Sequence, residues 1–363
     1  MSPAINTQHN DFGAYIHVPF CSKRCDYCAF ATWDNKHDLR DAYMHALREE
    51  VQRAVEAGLS TLDTVFVGGG TPSLVDPHSL ADVLTLLPLA KSREVTVECN
   101  PDNVTVELLR VYRDAGVNRI SLGVQSMVPH VLASLGREHE PDNVVRAVEA
   151  IREVGFESFN MDLIYGAHGE SIDDWISTLE QALALRPFHV SAYGLTVEPG
   201  TPLATDTSRH PDDDDQADKY PLADTALVGA GLLNYEISNW SLPGHESRHN
   251  RLYWAQANYR GFGCAAHSHD SGRRWWNVRT PERYIELVAA GQSVENASET
   301  LTPLQIHEER VQLALRRREG VLLAELSHGV PEELEGLVDV VNDSVVLTKE
   351  GRLLANEVTI RLL

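Results

Sequence analysis

The sequence has 363 residues, enough for one large domain with a smaller one or for two ordinary domains, and its 43% hydrophobic and 23% charged content suits a globular protein with a sizeable core. Its 31 basic residues against 53 acidic ones leave a net charge of −22, which repels phosphate backbones and anionic lipid and argues against nucleic acid as a partner. No apolar run approaches the roughly 18 residues of a membrane span, and the first residues carry neither a basic nor an apolar signal region, which predicts a cytoplasmic protein.

Residues 14–18 read as a first strand, and Cys21, Cys25 and Cys28 follow it at once in a C-x3-C-x2-C loop. Three thiols on one loop fit tetrahedral structural zinc poorly, because that ion normally takes four nitrogen or sulfur ligands. They fit a [4Fe–4S] cluster held by three thiolates, which leaves one iron open. The other two of the five cysteines, Cys99 and Cys264, stand alone. An odd, clustered set points to metal ligation in a reducing compartment rather than to disulfides.

Leu39, Tyr43, Ala46, Leu47, Val51 and Val55 recur at helical spacing and predict a helix over 38–58. A strand over 64–67 runs into Gly68, Gly69, Gly70, Thr71 and Pro72, and a helix follows over 79–87. The next strand, 94–98, ends on Glu98; Cys99 beside it alternates to the opposite face, as a small buried hydrophobe. Helix 106–115, strand 119–122 with Gln125 just beyond, helix 143–154, strand 158–164 with Asp162, helix 173–185 and strand 189–193 complete the rhythm. Strands and helices alternating at about 30-residue spacing argue for parallel βαβ units. Six units predict an α/β fold, a partial (β/α)6 barrel resembling a TIM barrel, with its site beyond the C-terminal ends of the strands. The cysteines, the glycines, Glu98, Gln125 and Asp162 all fall there.

Residues 211–215 read as a solvated loop with acidic helix-capping residues, ahead of a helix over 218–233. Residues 234–284 are dense in aromatics and histidines and less regular. From about 302 the texture changes: helices over 303–318 and 330–341, a short strand over 344–347 and a last helix predict a winged-helix-like C-terminal domain. Eleven acidic against seven basic residues after 302 argue against DNA binding and for packing or gating. The expected division is 10–240 for the core barrel, 241–300 for an aromatic and histidine-rich extension, and 301–363 for the C-terminal domain.

The glycine run is neither a dinucleotide fingerprint nor a P-loop, but glycine lets backbone approach a ligand closely. Beside the C-x3-C-x2-C loop it resembles the radical S-adenosylmethionine (SAM) superfamily. The segments Tyr-Ile-His-Val-Pro-Phe-Cys at 15–21, Phe-Val-Gly-Gly-Gly-Thr-Pro-Ser at 66–73, Val-Glu-Cys-Asn-Pro at 97–101, Leu-Gly-Val-Gln-Ser at 122–126 and Met-Asp-Leu-Ile-Tyr-Gly at 161–166 narrow the likeness to its coproporphyrinogen III dehydrogenase-like group. The resemblance implies a [4Fe–4S] cluster on Cys21, Cys25 and Cys28, with Tyr15 and Tyr27 lining cluster and SAM. It implies Gly69, Gly70 and Thr71 around the methionyl group of SAM, and Glu98, Gln125, Arg137 and Asp162 as polar groups about the rest.

Two features choose within the group. Phe30 stands where the oxidising enzymes' pattern has a further cysteine. His249-Asn250-Arg251-Leu252-Tyr253-Trp254 matches the H-N-x-x-Y-W signature of the HemW-type haem chaperones. That resemblance implies haem b as a ligand, bound through His249, and haem-accepting respiratory proteins as partners; His245, His267 and His269 lie near enough in sequence to leave the ligating histidine open. Productive SAM cleavage and homodimerisation are left open. The first alternative is an oxygen-independent coproporphyrinogen III dehydrogenase. A tRNA-modifying radical SAM enzyme is disfavoured by the acidic C-terminal domain. Residues 261–268 are expected to form a packed turn over the barrel mouth.

Overall fold

The computed structural model describes residues 11–363; residue 10 and the leading segment read above for a signal lie outside the described residues. The chain alternates β1 (Phe12–Val18), α1 (Arg40–Glu56), β2 (Leu62–Gly69), α2 (Pro77–Leu84), β3 (Leu89–Cys99), α3 (Val106–Asp114) and β4 (Arg119–Gln125). It continues through α4 (Pro129–Ser134), α5 (Pro141–Val154), β5 (Ser158–Tyr165), α6 (Ile172–Ala184) and β6 (His189–Gly194). These six strands pair in parallel in sequence order, as the alternation predicts.

The sheet does not close. After α7 (Pro202–Thr205) and α8 (Asp213–Gly229), β7 (Leu233–Glu236) and β8 (Asn239–Ser241) extend it antiparallel beyond β6. Helix α9 (Arg248–Trp254) then leads to β9 (Asn258–Phe262), which pairs parallel to the free side of β1. Strands β10 (His267–Asp270), β11 (Arg273–Asn277) and, after α10 (Pro281–Ala289), β12 (Glu295–Thr300) continue antiparallel to make twelve strands. The aromatic and histidine-rich stretch thus adds strands to both ends of one sheet.

Side-chain alternation sorts the six parallel strands into two unlike faces. Ile16, Val65, Val67, Val95, Val97, Ile120, Leu122, Phe159, Met161, Leu163 and Val190 are buried in the apolar core. The other face carries Tyr15, His17, Thr64, Thr96, Glu98, Ser121, Asn160, Asp162 and Ser191. Parallel strands covered on both faces are usually apolar throughout. Here the inner face lines a half barrel, and several of its polar groups hold one another, among them Ser121, Asn160 and Asp162.

Helix starts follow local chemistry. Asp76 accepts from the Ser79 amide at 2.9 Å, Thr105 from Leu108 at 3.2 Å, and Ser171 forms a reciprocal capping box with Asp174. Helix α8 begins at Asp213, five residues before the predicted start. Asp212 caps it, Asp213–Asp215 lie in its first turn where the helix dipole favours negative charge, and Pro221 is accommodated inside it. One turn on, the fully buried Lys219 ammonium sits 2.7 Å from Asp215 and 3.1 Å from Glu170.

The C-terminal unit comprises α11 (Pro303–Leu315), β13 (Val321–Leu322), β14 (Val338–Val341), β15 (Ser344–Leu347), α12 (Lys349–Leu353) and α13 (Ala355–Leu362). The three strands form an antiparallel sheet in the order β13, β15, β14, around a separate core of Val311, Leu315, Val321, Leu334, Val345 and Val358. The helix predicted over 330–341 is absent. A short 3-10 turn at Glu332–Leu334 leads through Gly336, at φ +81°, into β14. The β-branched run of Val338, Val340 and Val341 favours a strand there. The unit is tied to the rest by Arg316 on Glu236 at 3.3 Å and Lys349 on Asp224 at 2.7 Å.

Candidate cofactor site at the mouth of the half barrel

The cysteine loop leaves the C-terminal end of β1, and its backbone is pinned at both ends. The Cys21 amide donates to the Trp33 carbonyl at 3.0 Å, Trp33 donates back to Pro19 at 2.8 Å, and Cys28 donates to Cys25 at 3.2 Å. Arg24 crosses the loop to donate to the Cys28 carbonyl through Nε at 3.2 Å and Nη2 at 2.9 Å. Asp26 anchors the far side through Arg209 at 2.8 Å and an amide bond from Leu203 at 3.0 Å. Burial pushes the Cys21 thiol up to about 11, against the Thr32 and Thr71 hydroxyls, which lower it. Burial also raises Cys28.

Among the described residues no three His, Cys, Asp or Glu side chains converge on a point that one metal ion could occupy. Three thiolates that each bind a different iron of a cube need no such point. The buried Thr32 hydroxyl faces the Cys21 and Cys28 sulfurs and lowers both thiols without reaching ordinary hydrogen-bond geometry to either, so it is placed to donate to a sulfur-rich group. Donor set and Thr32 hydroxyl both fit an iron–sulfur cluster.

The glycine turn is laced to this loop. Gly69 adopts φ +110°, where a side chain is strained, and a Cβ there would lie 2.4 Å from His17 Nδ1. A Cβ on Gly70 would lie 2.5 Å from the Phe20 carbonyl oxygen, one residue before Cys21. The Gly69 amide donates to Glu98 at 3.2 Å, Gly70 to Val18 at 2.8 Å and Thr71 to Phe20 at 2.7 Å. With these amides engaged, the turn offers a ligand acceptor oxygens, which match an ammonium.

The structure brings the remaining expected residues to the same mouth. Burial, with the nearby Asp162 carboxylate, pushes Glu98 up to about 8. Asp162 accepts from Ser121 at 2.9 Å and Asn160 at 2.7 Å, and burial raises it as well. Gln125 ends β4 at φ +63°, and its amide and the Arg137 guanidinium both reach over Gly123. Arg137 donates to the Gly123 carbonyl at 3.0 Å and points Nη1 at the Cys25 sulfur, 3.6 Å away. Tyr27 packs on the small apolar cluster of Val131, Leu135, Leu195 and Leu203, and burial and the Cys25 thiol raise its hydroxyl. Tyr15 stacks on Phe66 at 6.5 Å between ring centroids. Phe30, on the loop, is 64% exposed.

His249 is elsewhere. The segment 245–254 crosses the opposite end of the half barrel as its floor. Glu94 of β3 accepts from the His249 amide at 3.0 Å and the Arg248 amide at 3.1 Å, Arg119 of β4 donates to the His245 carbonyl at 3.0 Å, and the Ser247 amide donates to the Tyr235 hydroxyl at 3.2 Å. The His249 ring is fully buried, with Nδ1 2.8 Å from Thr64 Oγ1 and Nε2 2.9 Å from the Tyr253 hydroxyl. It stacks on Phe66 at 5.5 Å, and burial lowers its pKa to about 3. Iron ligation by this ring requires its release from both partners. Cys99 is buried on the face away from Glu98, and Cys264 is fully buried, its amide donating to Tyr43 at 2.9 Å.

Sequence reasoning missed His17 and Thr32. His17 follows Tyr15 by two positions on β1 and so shares its face, which is the signal that marks it. Its Nδ1 accepts from Tyr15 at 3.0 Å, and Nε2 donates to the Ala31 carbonyl at 2.9 Å, tying strand to cysteine loop. Burial holds it neutral, with a pKa of about 4.

A family model described as the Radical SAM superfamily matches residues 15–182. The chain is 42% identical over 370 residues to the heme chaperone HemW of Mycobacterium tuberculosis, across 97% of this chain and 95% of that one. It is 34% identical over 369 residues to the protein of the same name from Bacillus subtilis, across 95% and 97%. Among solved structures, the coproporphyrinogen III oxidase HemN of Escherichia coli, a radical SAM enzyme, superposes with a TM-score of 0.83 over 98% of this chain and 91% of that one. At 22% identity that likeness is one of fold. Relatives above 30% identity along nearly the whole length decide the family: the protein belongs to the HemW family of the radical SAM superfamily.

Proposed function

We propose that this protein is a haem chaperone that holds a [4Fe–4S] cluster and SAM, binds haem b, and hands haem to respiratory haem proteins in the cytoplasm. The observation that carries this reading is the match to proteins named heme chaperone HemW along both the half barrel and the C-terminal unit. Membership of the radical SAM superfamily implies the cluster and SAM. When bound, they supply one-electron reductive cleavage of a sulfonium.

The chain's own residues would divide the binding as follows. Cys21, Cys25 and Cys28 hold the cluster, with the Thr32 hydroxyl donating to its sulfur. Carbonyl oxygens of the Gly69–Thr71 turn take the SAM ammonium, and Arg137 takes its carboxylate, the pairing its planar fork suits. Glu98 and Asp162 accept from ribose hydroxyls or face the sulfonium; a cation there would draw the Glu98 proton off. Tyr15, Tyr27 and Gln125 complete the wall, and segment 245–254 lies beneath it.

Anaerobic reconstitution followed by two parallel measurements tests the reading. Haem titration of the full chain should give a saturable Soret shift at one haem per chain. Coproporphyrinogen III with SAM and a reductant should show no multiple turnover. Turnover to protoporphyrinogen would replace the chaperone with the dehydrogenase.

A further inference from the structure

The four histidines of the aromatic-rich stretch differ in what their rings can still bind. His249 is locked in the floor by both nitrogens. His269 is buried, with Nδ1 donating to the Ala257 carbonyl at 3.0 Å and Nε2 accepting from the Gly272 amide at 3.2 Å. His245 has Nδ1 3.2 Å from Ser158 Oγ and its ring stacked on Phe188 at 4.7 Å. His267 is exposed, and among the described residues neither of its ring nitrogens has a hydrogen-bond partner. Its ring lies against Trp276, directly across the β10–β11 ladder, with centroids 5.7 Å apart and planes 24° from parallel.

Register places this pair on the site face of the sheet. His267 and His269 are two apart on β10 and share a face. His269 pairs with Tyr259 of β9, and Tyr259 pairs with Gly13 of β1, two residues before Tyr15. β10 runs against β9, so His267 lies toward the mouth and His269 toward the floor. Two strand spacings of about 4.8 Å put His267 on the order of 10 Å from Tyr15 across the sheet.

The geometry points to His267 as the axial ligand of haem iron, with the Trp276 indole fixing the plane of its imidazole and the porphyrin resting on the open wall of the half barrel beside the mouth. This rests on the haem-chaperone reading and supplies its binding site. A neutral imidazole with free nitrogens is a ready iron ligand. Its ring needs an orienting partner, and here the stacked indole provides one. An exposed ligand also suits a carrier, because an acceptor can approach the iron without the fold opening.

Ferric haem titrated into the full chain, read by absorption and by electron paramagnetic resonance, tests this. Wild type should show the spectrum of imidazole-ligated iron. His267→Ala should lose that spectrum and bind about tenfold or more weakly, and added imidazole should restore the spectrum. A folded His249→Gln variant should keep it, and Trp276→Leu should bind haem with an altered ligand-field signature. If His267→Ala binds with the wild-type spectrum, or only His249→Gln loses it while keeping its circular dichroism, the assignment is overturned. If wild type binds no haem, the chaperone reading itself falls.

Discussion

Replacing Gly70 with alanine tests whether the glycine run serves the cysteine loop. The added Cβ would sit 2.5 Å from the Phe20 carbonyl oxygen and 2.9 Å from its carbon and nitrogen, where ordinary contact is 3.4–4 Å. Backbone rather than a flexible side chain stands in the way, so the loop or the turn must move by roughly 1 Å. Either shift strains the bonds from Gly70 to Val18 and from Thr71 to Phe20 and displaces Cys21, the next residue. Overpacking of this kind costs about 1–3 kcal/mol, a fall of only a few degrees in melting temperature for a chain this long. The larger effect falls on assembly, because Cys21 is then no longer held where a cluster shared with Cys25 and Cys28 needs its thiolate. Gly70→Ala should therefore fold and yet retain little iron and acid-labile sulfide after anaerobic reconstitution and desalting. Wild-type stoichiometry in this variant would refute the argument.

Three further outcomes are expected. Glu98 is held up to about 8 in the folded chain against an ordinary 4.5, so between those values the folded state binds more protons than the unfolded one and stability falls as pH rises; Glu98→Gln should match wild type near pH 5 and melt higher at pH 8, and the opposite order in a thermal shift series would count against it. Lys219→Met leaves Glu170 buried without its cation and should cost about 3–5 kcal/mol, with most recovered by adding Glu170→Gln; denaturant melts of the two variants measure both, and no recovery would mean the pair is not the cause. Leu315→Ala, in the core of the C-terminal unit, should cost about 2–4 kcal/mol and make that unit the first to be cut in limited proteolysis, while the sheet stays protected.

The parts of the site that were legible in the sequence are those whose partners lie close along the chain. The three cysteines share one loop, the glycines, Glu98 and Gln125 lie at strand ends, and Asp162 lies within β5, all on strands whose positions the βα rhythm predicts. Thr32 and His17 were not legible as functional, because their surroundings arise only when the loop folds back over β1. The H-N-x-x-Y-W segment was legible as a pattern but not as a place: its burial depends on Thr64 and Glu94, each more than 150 residues away in the chain. The missed strand at Val338–Val341 reflects an apolar run whose spacing fits a helix and a strand alike. The early start of α8 reflects its acidic lead, read above as a loop: Asp212 caps the helix and Asp213–Asp215 form its first turn.

The floor built from segment 245–254 has a consequence for traffic through the molecule. With Glu94, Arg119 and Tyr235 each holding that segment beneath the strands, the floor end of the half barrel is occupied by the chain itself, and a ligand of the proposed site would enter and leave by the rim. On the sites proposed above, loading would have an order: SAM would seat at the depth of Glu98 and Asp162 before haem came to rest at His267, nearer the rim. A cargo on the wall could depart while the cofactor stays behind, so one filling of the site could serve many deliveries.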